Sequence, residues 1–247
     1  MGTSSARRAP AGARWRQAKR AATRYLTEET AGAAGAQEVA ARYVAALEGT
    51  GAEGESGFLA FFRQTRKTAQ DLGDFWRRVM DQGLAAALTA RGLGGLAGAD
   101  PKELALALAA AVCGPAESLE ASADRTALAG MLPTALSALE QASGVDDAPA
   151  PAPPALPDPA RLVRGFLVQA LWQRLVLDLG ETLEAAAGSP ERYRQGLSGL
   201  RAALEAAAGP LPEPPGTWSG WEGWRWVTAN LGALRQALAQ PRESGGG

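Results

Sequence analysis

Asp158-Pro159-Ala160-Arg161-Leu162-Val163-Arg164-Gly165-Phe166-Leu167-Val168-Gln169-Ala170-Leu171-Trp172-Gln173-Arg174-Leu175-Val176-Leu177-Asp178-Leu179-Gly180 is the stretch on which the fold turns. Asp158 followed by Pro159 is a helix-start signal: a carboxylate to cap the first amides, then a proline at a position that needs no N–H donor. Leu162, Val163, Phe166, Leu167, Val168, Leu171, Trp172, Leu175, Val176, Leu177 and Leu179 then cover nearly every side of the helix. A helix that is apolar all round lies inside a bundle. Gln169, Gln173, Arg174 and Asp178 interrupt the run, so it does not read as a membrane span. Arg174 and Asp178 are four apart and placed to pair.

The same signals recur outward from it. Asp100-Pro101-Lys102-Glu103 combines a cap, a proline and a capping-box glutamate, and Ser189-Pro190-Glu191 repeats the pattern. Alanine and leucine dominate, β-branched residues are sparse, and no segment alternates with period two. The fold class is all-α, an irregular multi-helix bundle with a flexible basic N-terminal arm and a Pro-rich internal linker. Helices are expected near Ala13–Leu26, Ala36–Leu47, Ser56–Arg91, Pro101–Val112, Ala123–Gln141, Pro159–Ala187, Pro190–Ala207 and Trp221–Leu238. Gly73, Gly83 and Pro133 are points where the longer ones can kink or split.

The run Ala148-Pro149-Ala150-Pro151-Ala152-Pro153-Pro154 reads as an extended polyproline-like linker. The expected division is a tail and basic arm at 1–30, an N-terminal helical part at 31–142, the linker at 143–158, a C-terminal helical part at 159–242 and a Gly-rich tail at 243–247. The linker either separates two domains or forms a long loop within one bundle.

The chain has no histidine, which removes the commonest general base and metal ligand and the Ser-His and Cys-His nucleophile pairs. Its one cysteine, Cys113, forms no intrachain disulfide and fits a packed small residue in a reducing, cytoplasmic setting. Gly92-Leu93-Gly94-Gly95-Leu96-Ala97-Gly98 lacks the Lys-Ser/Thr of a phosphate loop. No signal peptide or membrane segment is read. No cofactor, metal or catalytic residue is expected.

Charge is unevenly spread. Seven of the 25 basic residues precede Leu26, and none of the 26 acidic ones does. Within that arm Arg14, Trp15, Arg16, Lys19, Arg20 and Arg24 are candidates for contact with nucleic acid or a protein partner. Alternatively Trp15, Ala18, Ala22 and Tyr25 pack on the body while the cations face solvent. Phe58, Phe61, Phe62, Thr65, Leu72, Phe75, Trp76 and Val79 recur at helical spacing and read as core. Trp218, Trp221, Trp224 and Trp226 either clamp the last helix to the bundle or form a binding hot spot. At the start, Met1-Gly2-Thr3-Ser4-Ser5 presents a glycine that Met1 removal exposes. Its α-amine, with a pKa near ~8, is partly a free nucleophile at neutral pH.

Several segments together resemble the QatB component of the bacterial Qat anti-phage defence system. These are Met1-Gly2-Thr3-Ser4-Ser5, the helix around Trp15 to Tyr25 with Val39-Ala40-Ala41-Arg42-Tyr43-Val44, and Val112-Cys113-Gly114-Pro115 with Ser118-Leu119-Glu120 and Asp124-Arg125. The last is Arg174-Leu175-Val176-Leu177-Asp178-Leu179-Gly180, similar to an Arg-x-x-x-Asp-Ile-Gly helix. The resemblance implies a non-enzymatic helical protein working beside an ATPase, a QueC-like enzyme and a TatD-like nuclease. It further implies that Gly2, Thr3, Ser4 and Ser5 enter the QueC-like partner and that Gly2 accepts a deazaguanine-type group. The alternative function is a nucleic-acid-binding helical adaptor led by the basic arm.

Overall fold

The computed structural model describes residues 12–28, 32–49, 56–114, 118–143 and 158–240. All regular structure among them is helical: α1 (Ala13–Thr27), α2 (Gly32–Glu48), α3 (Gly57–Phe61), α4 (Arg63–Gln82), α5 (Leu84–Ala90), α6 (Pro101–Cys113), α7 (Leu119–Ser143), α8 (Pro159–Ala186), α9 (Pro190–Ala207) and α10 (Gly220–Ala239), with a single 3₁₀ turn at Gly94–Leu96. No helix among the described residues is long and apolar enough to cross a membrane. The Pro-rich run and the first five residues lie outside the described residues.

Helix starts follow local chemistry. The Asp100 side chain accepts the Lys102 N–H at 2.8 Å, with Pro101 opening α6. Asp158 does the same for Arg161 at 2.9 Å, and Ser189 for Arg192 at 3.1 Å. The stretch expected as one helix from Ser56 to Arg91 is three helices. It breaks at Phe62 and at Gly83, whose φ of 85° is a left-handed conformation that only glycine adopts without strain. Gly73 and Pro133 do not break their helices; both sit inside regular helix. For Gly73 the reason is tertiary: the Trp218 ring packs where a Cβ would stand.

Two compact units are formed, each from separated stretches of chain. One holds α1, α2, α3, α8 from Leu175, α9 and α10 from Ala233. In it α1 turns Trp15, Ala18, Ala22, Tyr25 and Leu26 inward, as its periodicity predicts. Trp15 meets Tyr43 of α2 edge-on, with ring centroids 5.8 Å apart. The Tyr25 hydroxyl donates to the Gly196 carbonyl of α9 at 3.1 Å. The Arg192 guanidinium closes the far end of α1 by donating to the carbonyls of Tyr25, Leu26 and Glu28 at 3.2, 3.1 and 2.8 Å. Helix ends leave such carbonyls without intrahelical donors. Tyr43 donates to Asp178 at 2.8 Å, and Arg235 pairs with Glu48 at 2.7 Å.

The second unit holds α4 to α7, α8 as far as Arg174, and 210–232 with most of α10. Its core is Leu72, Phe75 and Trp76 of α4, Leu104 and Leu108 of α6, Leu128, Leu132 and Leu136 of α7, and Val163, Phe166 and Leu171 of α8. Of the face read as core, Phe62, Thr65, Leu72, Phe75, Trp76 and Val79 are buried in this unit, while Phe58 is buried and Phe61 half-buried in the first. Buried Arg164 donates to Asn230 Oδ1 at 2.5 Å, and burial lowers its pKa. Helix α8, expected to be buried on every side, is not: Leu177 is 45% exposed and Trp172 and Val176 are half-buried.

Candidate functional site

Gly2, Thr3, Ser4 and Ser5 lie outside the described residues. Of the arm residues, Trp15 is buried. Arg14, Arg16, Arg20 and Arg24 are exposed and Lys19 is half-buried. Arg24 pairs with Glu38 of α2, and Arg42 stands 3.8 Å from the same carboxylate. The hydrogen bonds and the charge between Arg24 and Glu38 raise the Arg24 pKa.

The four tryptophans separate. Trp218 precedes α10, so helical spacing does not govern it. It is buried edge-on to Trp226, with ring centroids 5.0 Å apart, and lies over Gly73 of α4. Trp226 donates to the Glu213 carbonyl at 2.7 Å. The Arg66 guanidinium sits 4.6 Å from the Trp224 ring centre. Trp221 alone turns outward, at 69% exposure.

Cys113, Gly114, Ser118, Glu120, Asp124 and Arg125 meet at one joint among α4, α6 and α7. Ser118 starts α7 by accepting the Ala121 N–H at 3.0 Å. Phe62, the residue that precedes α4 at its cap position, offers no side-chain cap. Glu120 supplies one from α7: its carboxylate accepts the Thr65 N–H at 2.9 Å and the Thr65 hydroxyl at 3.3 Å. A negative group there meets both the orphan amides and the positive end of the helix. One turn further along α7, Asp124 accepts the Thr65 hydroxyl at 2.8 Å. The Arg125 guanidinium donates to the Gly114 carbonyl where α6 ends.

Burial sets the electrostatics of this joint. Asp124 is 1% exposed, and its Oδ2 has no hydrogen-bond partner. Desolvation raises its pKa to about 7, with Thr65 and Thr68 opposing the shift and Glu120 reinforcing it. Burial also raises the Glu120 pKa, against the amides it accepts. The Cys113 thiol is pushed up to about 12, by burial and then by Asp124. A thiol at that pKa stays protonated at neutral pH and is a poor nucleophile. A cleft of about 510 Å³ opens beside the joint, with Gln64, Lys67, Asp71, Cys113 and Ser118 on its walls. Among the described residues no group of three or more Cys, Asp or Glu side chains is placed to hold a metal ion.

The arrangement clamps three helices. Glu120→Ala is expected to cost about 1–2 kcal/mol, the range for loss of a helix cap. Glu120→Gln should retain part of that through its amide oxygen. Urea denaturation of the two variants is the check, and equal midpoints with wild type would remove the capping role.

Sequence reading noticed Glu120 and Asp124 only as part of a motif. The signal for their burial was present: they are four apart in α7 beside Ala121, Leu128 and Leu132, so two acids fall on an apolar ridge.

No curated protein and no solved structure matches the chain. A family model described as Qat anti-phage system associated protein QatB matches residues 54–207. That span takes in the joint of α4, α6 and α7 and runs through the end of α9. The match covers more than half of the sequence, and the chain belongs to the QatB family of the Qat anti-phage system.

Proposed function

We propose that this protein is the non-catalytic member of a Qat system that binds the QueC-like enzyme and offers it the Gly2 amine for modification. The observation that carries the reading is the start Met1-Gly2-Thr3-Ser4-Ser5 on a chain of the QatB family. The anchoring of α1 supports it. Trp15, Tyr25 and the carbonyls held by Arg192 fix that helix, so whatever precedes Gly12 is tethered at a set point. Eleven residues span at most about 35–40 Å when fully extended, which bounds how deep an active site Gly2 can reach.

The chemistry is acyl transfer. The QueC-like partner activates a deazaguanine carboxylate with ATP as an acyl adenylate. The uncharged Gly2 amine attacks the acyl carbon, a C–N bond forms, the C–O bond to AMP breaks, and the nitrogen gives up a proton. Gly2 and Thr3 are small because the tail has to enter a narrow channel. The ATPase and the TatD-like nuclease are the further partners of the complex, in the cytoplasm.

Mass spectrometry of the N-terminal peptide, from protein expressed with its neighbouring components, tests this. A nucleobase-sized mass on the Gly2 amine is expected, and Gly2→Val should abolish it with the circular dichroism spectrum unchanged. A plain Gly2 amine beside an active partner overturns the reading, as does modification that persists in Gly2→Val.

A further inference from the structure

We propose that the solvent face of α1, together with Arg42 of α2, docks the phosphodiester backbone of nucleic acid without reading its bases. Helix α1 carries five cations and no acid between Ala13 and Thr27. Arg16, Arg20 and Arg24 are four apart. Each step advances the ridge by about 6 Å, so their guanidinium groups form a positive edge roughly 12 Å long. Lys19 flanks it. Among the described residues Arg16, Lys19 and Arg20 take part in no ion pair, so their charge is available.

The ridge borders a cleft of about 310 Å³ lined by Gln17, Arg20, Ala21, Arg24, Glu38 and Arg42. Three guanidinium groups and one carboxylate line it. Glu38 sits against Arg24 and near Arg42 and offsets one of the three charges, which leaves an excess of positive charge. Arginine suits that role because its planar fork can donate to two oxygens at once.

The choice of phosphate over an acidic protein surface rests on what the face lacks. Protein interfaces are centred on buried aromatic or large apolar anchors. Both aromatic residues of α1 point inward, with Trp15 4% and Tyr25 6% exposed. The exposed large apolar side chains among the described residues are Met80, Leu106, Leu177, Leu211 and Trp221, and none lies on α1 or α2. Phosphate binding needs only cations and released counterions. With no surface ring to stack on and no side chain committed to base edges, recognition is independent of sequence.

The test is fluorescence anisotropy of the full chain with short labelled DNA duplexes of two unrelated sequences. Salt is varied between about 50 and 200 mM. Wild type should bind both duplexes equally, with a log–log salt slope of about −3 to −4 for about four phosphates neutralised. The combined variant Arg16→Gln, Lys19→Gln, Arg20→Gln should bind at least ~10-fold more weakly at the lowest salt and lose about 2.7 from the slope. Glu38→Gln acts in the opposite sense and should tighten binding. The proposal is overturned by absence of salt-dependent binding in wild type. It is also overturned by unchanged affinity in a folded triple variant, or by loss of binding from Arg7→Gln with Arg8→Gln alone. If wild type ignores DNA while the triple variant loses capture of the purified QueC-like enzyme, the face docks protein instead. None of these results depends on modification of Gly2.

Discussion

Gly73→Val is expected to drive the Trp218 ring out of its seat and cost about 3–5 kcal/mol, the range for losing a large buried aromatic side chain. A Cβ at Gly73 would overlap the six-membered ring of Trp218. The ring has little freedom to yield, because it is buried against Trp226 and its backbone is held as well. Gln70 Nε2 donates to the carbonyls of Trp218 and Gly220 at 3.0 and 2.6 Å. Gly223 forms the other side of the seat, since a Cβ there would strike the Trp218 carbonyl. A double-mutant cycle isolates the effect. Gly73→Val and Trp218→Ala should each be strongly destabilising. Their combination should cost at least ~1 kcal/mol less than the sum, because the added methyls occupy the vacated space. Gly130→Ala is the control: it lies in α7 with nothing near its missing Cβ and should gain about 0.5–1 kcal/mol. Urea unfolding followed by circular dichroism reads all four variants. A Gly73→Val midpoint equal to wild type would mean that Trp218 is not seated on α4.

The second large effect is a pH dependence from Asp124. Its pKa lies near 7 in the fold against an ordinary 3.8, so the native state holds the proton more tightly than the unfolded chain does. That contribution to stability is fully present below the ordinary value and is lost as the pH rises through the folded one. The loss amounts to at most about 4 kcal/mol between roughly pH 4 and pH 7. Asp124→Asn removes the ionisation while keeping an oxygen for the Thr65 hydroxyl. The variant should therefore overtake wild type above pH 7 and hold no such advantage near pH 4. Parallel stability–pH curves for the two proteins would show that Asp124 is solvated in the native state. The upper part of that slope lies above the titration range of the exposed carboxylates, and no histidine is present to mimic it.

Helix identity was legible because it is decided within a few residues. Asp100-Pro101, Asp158-Pro159 and Ser189-Pro190 each start a helix where they stand, since the capping oxygen and the amide it satisfies are two or three positions apart. The inward turn of Trp15, Ala18, Ala22 and Tyr25 was likewise readable, because one 3.6-residue period fixes which residues share a face. Of the segments that carried the family resemblance, those from Val112 to Arg125 and from Arg174 to Gly180 fall within the match over 54–207, which bears out the family.

What local pattern could not supply was the partner of each side chain. Glu120 caps a helix whose first turn lies 55 positions earlier in the chain, and no cap signal at Phe62 announces it. Gly73 reads as a weak point in a long helix. Only the arrival of Trp218 turns the missing Cβ into the condition for close packing. The tryptophans from 218 to 226 look equivalent by spacing, yet one of them precedes the helix and another faces solvent. Asp124 is an ordinary surface acid until the neighbouring helices exclude water from it. By itself the sequence determined the helical class, the helix starts at Pro101, Pro159 and Pro190, the buried face of α1 and the family. The tertiary structure alone decided which stretches share a unit and which polar groups lose solvent, because desolvation and steric exclusion arise from residues brought together across long separations in the chain.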